Sequence, residues 1–229
     1  MARYELLNVQ DHKSLRIRGR SPSEPHLALI VPAEFAAAAA CCPVVLSKDP
    51  ATGSFYAGAL MGFKSGESFL NDIRERTGFE PLSVQRDGFF IADEHISVDR
   101  DNPRFSDTAG EPLFEDDLSP SLCLRQMQQI IGQFKAGLDA ASSFIQRLLD
   151  LRLIEPIDIR ATFDDGETIT LEGLYTVSLD SLQALDDQTI LDLFRTGYLQ
   201  LAYTMAASLN QIAILARQRN TVIKLRNAK

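Results

Sequence analysis

The sequence predicts an α+β fold: a mainly antiparallel β part with a short helix, followed by a part with two long helices and a β-hairpin. Three observations predict it. Apolar residues recur at helical spacing through 120–150, at Met127, Ile130, Ile131, Phe134, Leu138, Ala141, Phe144, Ile145 and Leu148. A second stripe, Leu201, Met205, Leu209, Ile212 and Leu215, runs through 198–217. Between them, two alternating runs flank Asp165-Gly166, the strongest short-range hairpin signal.

Residues 15–18 alternate as a strand does, and 27–31 form a continuous apolar run suited to a strand buried on both faces. Pro32-Ala33-Glu34 opens a short helix through Ala40. Strands at 43–46 and 54–63 flank turn chemistry at 49–53, which predicts a hairpin. A short helix is expected within 67–77, then strands at 88–92 and 96–98. Residues 99–119 are rich in Asp, Pro, Gly and Ser and read as a connector anchored by Phe105, Leu113, Phe114 and Leu118.

Ser119 followed by Pro120 predicts the start of the first long helix. Gly132 and Gly137 within it predict close packing or a kink. Two short helices, 181–185 and 187–196, are expected after the hairpin, the second ending at Gly197. The expected division is a mainly-β subdomain at 1–100, an acidic connector at 101–119, and a helical subdomain at 120–229 holding the hairpin at 157–172. Phe134, Leu138 and Ile145 are expected to pack on Met205, Leu209 and Ile212, or on a second copy in a homodimer. Neither stripe is stable in water uncovered.

With 229 residues, 45% hydrophobic and 24% charged, the composition is that of an ordinary globular protein. A net charge of −8 disfavours non-specific binding to nucleic acid or anionic membranes. Arg217, Arg219, Lys224 and Arg226 read as a solvated basic end. The three cysteines cannot all pair, and Cys41-Cys42 lacks charged sequence neighbours, so reduced, structural thiols and a cytoplasmic setting are expected. The first residues do not read as a signal peptide. The apolar run 36–46 is too short to span a bilayer and contains Pro43. Gln200, Asn210 and Gln211 interrupt 198–216, so no membrane span is expected there.

Candidate chemistry is sparse. Asp93-Glu94-His95 and Asp99 bring carboxylates and an imidazole together, which suits metal binding or proton transfer. The other histidines, His12 and His26, are distant in sequence, so a facial two-histidine site could be assembled only through space. The acidic run Glu115-Asp116-Asp117 lacks the ligand spacing of a calcium loop and instead complements a helix dipole. Gly58, Gly62 and Gly66 read as strand bends, because no helix start follows at phosphate-binding spacing. Neither a nucleophile elbow nor a Walker A motif occurs.

Taken in order, several landmarks resemble the SapC-like family of bacterial proteins. They are His26 before the apolar strand, Pro32-Ala33-Glu34-Phe35, Pro43-Val44-Val45, and Gly62 with Gly66-Glu67-Ser68-Phe69. Then follow Gly110-Glu111-Pro112-Leu113-Phe114, Leu153-Ile154-Glu155-Pro156, the Asp165-Gly166 hairpin with Leu171-Glu172-Gly173, the stretch 182–185, and Ser208-Leu209-Asn210. Where the family has a basic pair before Tyr-Pro-Phe, this chain carries Arg86-Asp87-Gly88-Phe89 and so departs from the pattern.

The resemblance implies an accessory role beside proteins similar to flavin-dependent tryptophan halogenases, cupin-like proteins and TonB-dependent receptors. The family name is shared with a peptide-transporter permease, a role the expected lack of spans argues against. The expectation is therefore a non-enzymatic accessory or binding protein with a protein partner and no cofactor. The alternative is a metal- or small-molecule-dependent enzyme using His26, His95 and nearby carboxylates. The candidate ligand-binding residues are His26, Arg86, Asp93 and His95.

Overall fold

A computed structural model describes residues 4–92 and 95–227. In chain order the elements begin with β1 (Tyr4–Leu6), α1 (Val9–His12), β2 (Arg16–Ile17) and β3 (Leu27–Leu29). A 3₁₀ turn (Pro32–Glu34) leads into α2 (Phe35–Ala39), then β4 (Val44–Lys48) and β5 (Phe55–Leu60). Next come α3 (Leu70–Thr77), α4 (Leu82–Gln85), β6 (Phe89–Ala92), β7 (His95–Asp99), β8 (Phe105–Ser106) and β9 (Glu111–Pro112). The long α5 (Leu122–Asp150) is followed by β10 (Ile154–Thr162) and β11 (Thr168–Val177). Last are α6 (Leu179–Gln183), α7 (Asp187–Arg195), α8 (Tyr198–Ser208) and α9 (Gln211–Asn227). The α+β class expected from the sequence is the class observed.

These elements form two compact units, each made of two separate stretches: 1–23 with 81–136, and 24–80 with 137–229. This division differs from the expected 1–100, 101–119 and 120–229. Strand pairing over long sequence separations causes the difference. In the first unit β7 lies between β1 and β6, and β2 lies between β8 and β9. The connector therefore supplies both neighbours of β2. Leu15, Ile17, Phe89, Phe105, Leu113 and Ile131 belong to this unit's core.

In the second unit one antiparallel sheet runs β10-β11-β4-β5-β3. The hairpin expected beside the long helices is paired to β4 instead, through Leu174↔Ser47 and Tyr175↔Leu46. Buried Val44, Val45, Leu46, Ala59 and Leu60 come from the central strands. Ser208, the last residue of α8, accepts a hydrogen bond from the Val44 N–H at 2.8 Å and so fixes that helix to the sheet.

Two helix boundaries differ from the sequence expectation. α5 starts at Leu122, and the hydroxyl of Ser121, not Ser119, caps it by accepting from the Leu124 N–H at 3.1 Å. The expected last helix is broken into α8 and α9 around Leu209 and Asn210, next to the Ser208 anchor. By length and composition alone, Tyr198–Arg226 would reach across a membrane, with 22% of its most apolar window buried. The span is interrupted at Leu209 and Asn210, next to the Ser208 anchor.

The residues of the α5 stripe have different surroundings. Phe134 lies in the first unit beneath the Arg86 guanidinium, 4.5 Å from the ring centroid. Leu138 lies in the second unit and is 37% exposed. α8 packs on α2, α7, β4 and β11. Its aromatic contact with α5 is Phe144 against Tyr198, edge to face at 5.5 Å. Gly137 explains its own place: a Cβ there would sit 2.5–2.8 Å from the Val31 side chain, so only glycine admits that approach.

The hairpin turn is not the type I′ turn that Asp-Gly commonly forms between two strands. Gly166 has φ +82° while Asp165 is not in the positive region. The Gly166 N–H bonds to the Phe163 carbonyl, and Phe163 N–H to Glu167. This is a type I turn closed by a left-handed glycine, with a five-residue loop. Valine at 166 is strained in that conformation by at least about 1–2 kcal/mol. Asparagine at position 165 keeps the acceptor that Asp165 offers to the Glu167 N–H. Gly166→Val should therefore melt several degrees below Asp165→Asn, and equal melting temperatures would reject this turn.

Candidate functional site

The sequence-derived candidates are divided between the two units. His26 and Arg86 belong to different units, and His95 lies in the same unit as Arg86. His26 contributes its backbone: its carbonyl accepts from the Met61 and Gly62 N–H groups at 2.6 and 3.1 Å. His95 is an exposed residue at the start of β7. Arg86 is half-buried over the rings of Phe134 and Phe90, and its Nη1 donates to the Phe89 carbonyl at 2.8 Å. Burial lowers its pKa, opposed by the neighbouring Asp87. Asp93 lies outside the described residues. Among the described residues, no group of three or more His, Cys, Asp and Glu side chains is placed to hold a metal ion.

A different constellation stands out in the second unit, around Arg219. The sequence suggested a solvated basic end for this residue, yet it is 4% exposed. Its helical register is the reason. Arg219 falls four residues from both Leu215 and Ile223, and all three are buried on α9. A guanidinium at a core-facing position needs partners, because an unpaired buried charge is costly. Nε donates to Glu67 at 2.8 Å, and Nη2 donates to Glu167. The guanidinium stacks 3.9 Å above the ring of Phe163. Nη1 is buried and has no hydrogen-bond partner among the described residues.

The partners are fixed by loop geometry. Glu67 lies in the turn between β5 and α3, where its other carboxylate oxygen accepts from the Phe63 N–H at 3.0 Å. That loop closes tightly on itself: a Cβ at Gly62 would lie 2.1 Å from the Glu67 carbonyl oxygen. Gly62 is thus a close-approach glycine of the loop rather than a strand bend. Ser68 donates to the Pro25 carbonyl at 3.0 Å, which ties the loop to the approach of β3. Glu167 follows the hairpin turn and also receives Lys64 Nζ at 3.1 Å on each oxygen.

The electrostatics follow from these contacts. Hydrogen bonds from Arg219 and then Lys64 hold the Glu167 carboxyl below its usual range. Burial alone would lower the Arg219 pKa, but the hydrogen bonds and charges of Glu67 and Glu167 outweigh it and raise the value. Lys224, from the same basic end, pairs with Asp164 at 3.0 Å.

Arg219 lines an open groove of about 490 Å³, within the size range of small-molecule and peptide sites. Glu67 and Glu167 line it too, as do Lys64 and Arg226 at exposed positions. Its walls contain Gly66-Glu67-Ser68-Phe69 and Asp165, landmarks nearly a hundred residues apart in sequence. The other landmarks have structural duties. Leu113 is a core residue of the first unit, Glu34 accepts from the Val31 N–H at 3.0 Å, and Ser208 anchors α8.

A protein-family model, SapC, matches residues 7–215 of the 229. The chain belongs to the SapC family. No curated protein and no solved structure matches it. The match covers the Glu67 and Glu167 arms of the groove, and Arg219 lies beyond it.

The cysteines of this SapC-family chain are free thiols, with Cys41 and Cys42 buried. Cys41 does have a charged neighbour, though not in sequence. A hydrogen bond with Cys42, opposed by burial and helped by Thr77 and the Arg76 charge, draws its pKa down to about 7.

Proposed function

We propose that this SapC-family chain is a non-enzymatic accessory protein, and that the Arg219 groove of the second unit is where it binds a protein partner. The observation that carries this reading is the buried guanidinium whose Nη1 lacks an acceptor among the described residues, set in a groove walled by two distant family landmarks. A buried donor left unpaired costs about 1–3 kcal/mol, so a bound carbonyl or carboxylate oxygen would recover stabilisation there. A polypeptide segment supplies such oxygens. The groove's mixed charges, five carboxylates and three cations, suit a polar segment better than a purely apolar one. Family resemblance supports a halogenase-like or cupin-like protein as that partner, in the cytoplasm.

Lys64→Glu with Arg226→Glu reverses two exposed charges at the groove without touching its buried base. Affinity capture from the native cell, read by mass spectrometry, should recover a halogenase-like or cupin-like protein with the parent chain and lose it with the double variant. Equal recovery by both chains would remove the groove from the interaction. Stoichiometric zinc or iron in the purified protein, lost on His26→Ala or His95→Ala, would replace the accessory reading with the metal-dependent enzyme.

A further inference from the structure

A second groove in the same unit has a different chemistry. It holds about 420 Å³ between the sheet and the second half of α5. One wall is Leu138, Ala141, Ile145 and Leu149, which recur at helical spacing on one face of α5. The opposite wall includes Ile30, Phe55 and Ala57. Ala57, Ile30, Ala141 and Ile145 are buried, so the floor is apolar. Leu138 and Leu149 stand at the rim, 37% and 40% exposed.

The exposed Lys48 lines the groove as well. It pairs with Phe55 across the β4–β5 ladder, so the two side chains share a sheet face with Ala57. Its ammonium stands 4.9 and 5.4 Å from the ring centroids of Phe55 and Tyr175, which hold it in place. Among the described residues it has no carboxylate partner. The adjacent Asp49 carboxylate is engaged by the Ala51 and Thr52 N–H groups at 2.8 Å.

We propose that this groove binds a free medium-chain carboxylic acid, its methylenes along Ala57, Ala141 and Ile145 and its carboxylate at Lys48. The site combines the two properties such a ligand requires: an apolar floor and one lining cation, Lys48, without a carboxylate partner among the described residues. This inference uses neither Arg219 nor a protein partner, so its outcome is separate from that of the accessory reading.

Calorimetric titration of the full chain with octanoate, decanoate and decan-1-ol tests it. Decanoate should bind saturably at one site and more tightly than octanoate, by about fourfold per buried methylene. Lys48→Glu should weaken decanoate by about tenfold and leave decan-1-ol unchanged. Ser142→Phe fills the groove from an exposed position on α5 and should abolish binding of both, with the melting temperature of the free protein retained. Absence of saturable decanoate binding overturns the proposal. So does decanoate affinity unchanged in Ser142→Phe, which would put the ligand elsewhere, or equal weakening of acid and alcohol by Lys48→Glu.

Discussion

Phe144→Ala is expected to cost about 3–5 kcal/mol, the range for emptying a buried phenylalanine site. Phe144 is fully buried. It meets Phe35 edge to face at 6.0 Å and Tyr198 at 5.5 Å, and such pairs contribute beyond their buried area. Its loss would leave a cavity between α5, α2 and α8. Against a typical domain stability of about 5–15 kcal/mol this is a large fraction. The melting temperature should fall by about 10 °C, using roughly 2–4 °C per kcal/mol for a chain of this size.

Leu138→Ala serves as the contrast. Leu138 belongs to the same apolar stripe but is 37% exposed at the rim of a groove. Its truncation should cost under about 1.5 kcal/mol, since the removed atoms are already partly hydrated. Thermal unfolding of the two variants side by side decides the matter. A Leu138→Ala penalty as large as that of Phe144→Ala would show that Leu138 is packed as tightly as Phe144, as the pairing of the two stripes expects.

Arg219→Met should destabilise the protein by about 2–3 kcal/mol. Methionine keeps much of the stem packing over Phe163, so the loss is mainly electrostatic. Breaking a fully buried pair costs about 3–5 kcal/mol because it strands the partner charge. The lower figure applies here because Glu67 retains some access to water and Glu167 keeps Lys64.

The pH dependence separates charge from packing. Arg219, and Lys64 after it, depress the Glu167 pKa in the folded protein. A depressed carboxylate contributes stability above its unfolded pKa and loses it as pH falls through the folded pKa. The deficit of Arg219→Met relative to the parent should therefore be full near neutrality and shrink below the usual carboxylate range. A deficit that stays constant through that acid range would mean that Arg219 acts by stacking on Phe163 alone.

The contrast between Phe144 and Leu138 separates what local sequence can say from what it cannot. Helical spacing located α5 from Met127 to Leu148 because a helix in water has to bury one face, and that requirement is written locally. The hairpin was equally local: alternation and a glycine fix two strands and a turn, although the turn type depended on which central residue took positive φ. The order of the family landmarks was also readable, and the SapC family match agrees with it.

What covers each apolar face was not readable. Periodicity says that Phe134, Leu138 and Phe144 need cover, and nothing in it chooses between another helix, a sheet or an arginine. The fold assigned three different answers: Arg86 for Phe134, a groove rim for Leu138, and Phe35 with Tyr198 for Phe144. The candidate site escaped the sequence for the same reason. Lys64, Glu67, Glu167 and Arg219 are separated by up to 155 positions, and only the pairing of β11 with β4 and the packing of α9 bring their charges together. One local signal did mark it: an arginine on the buried face of α9, midway between Leu215 and Ile223. The sequence determined where helices and strands form because those choices rest on neighbours within a few residues. The tertiary structure alone decided which charges meet, because ion pairing depends on distance in space.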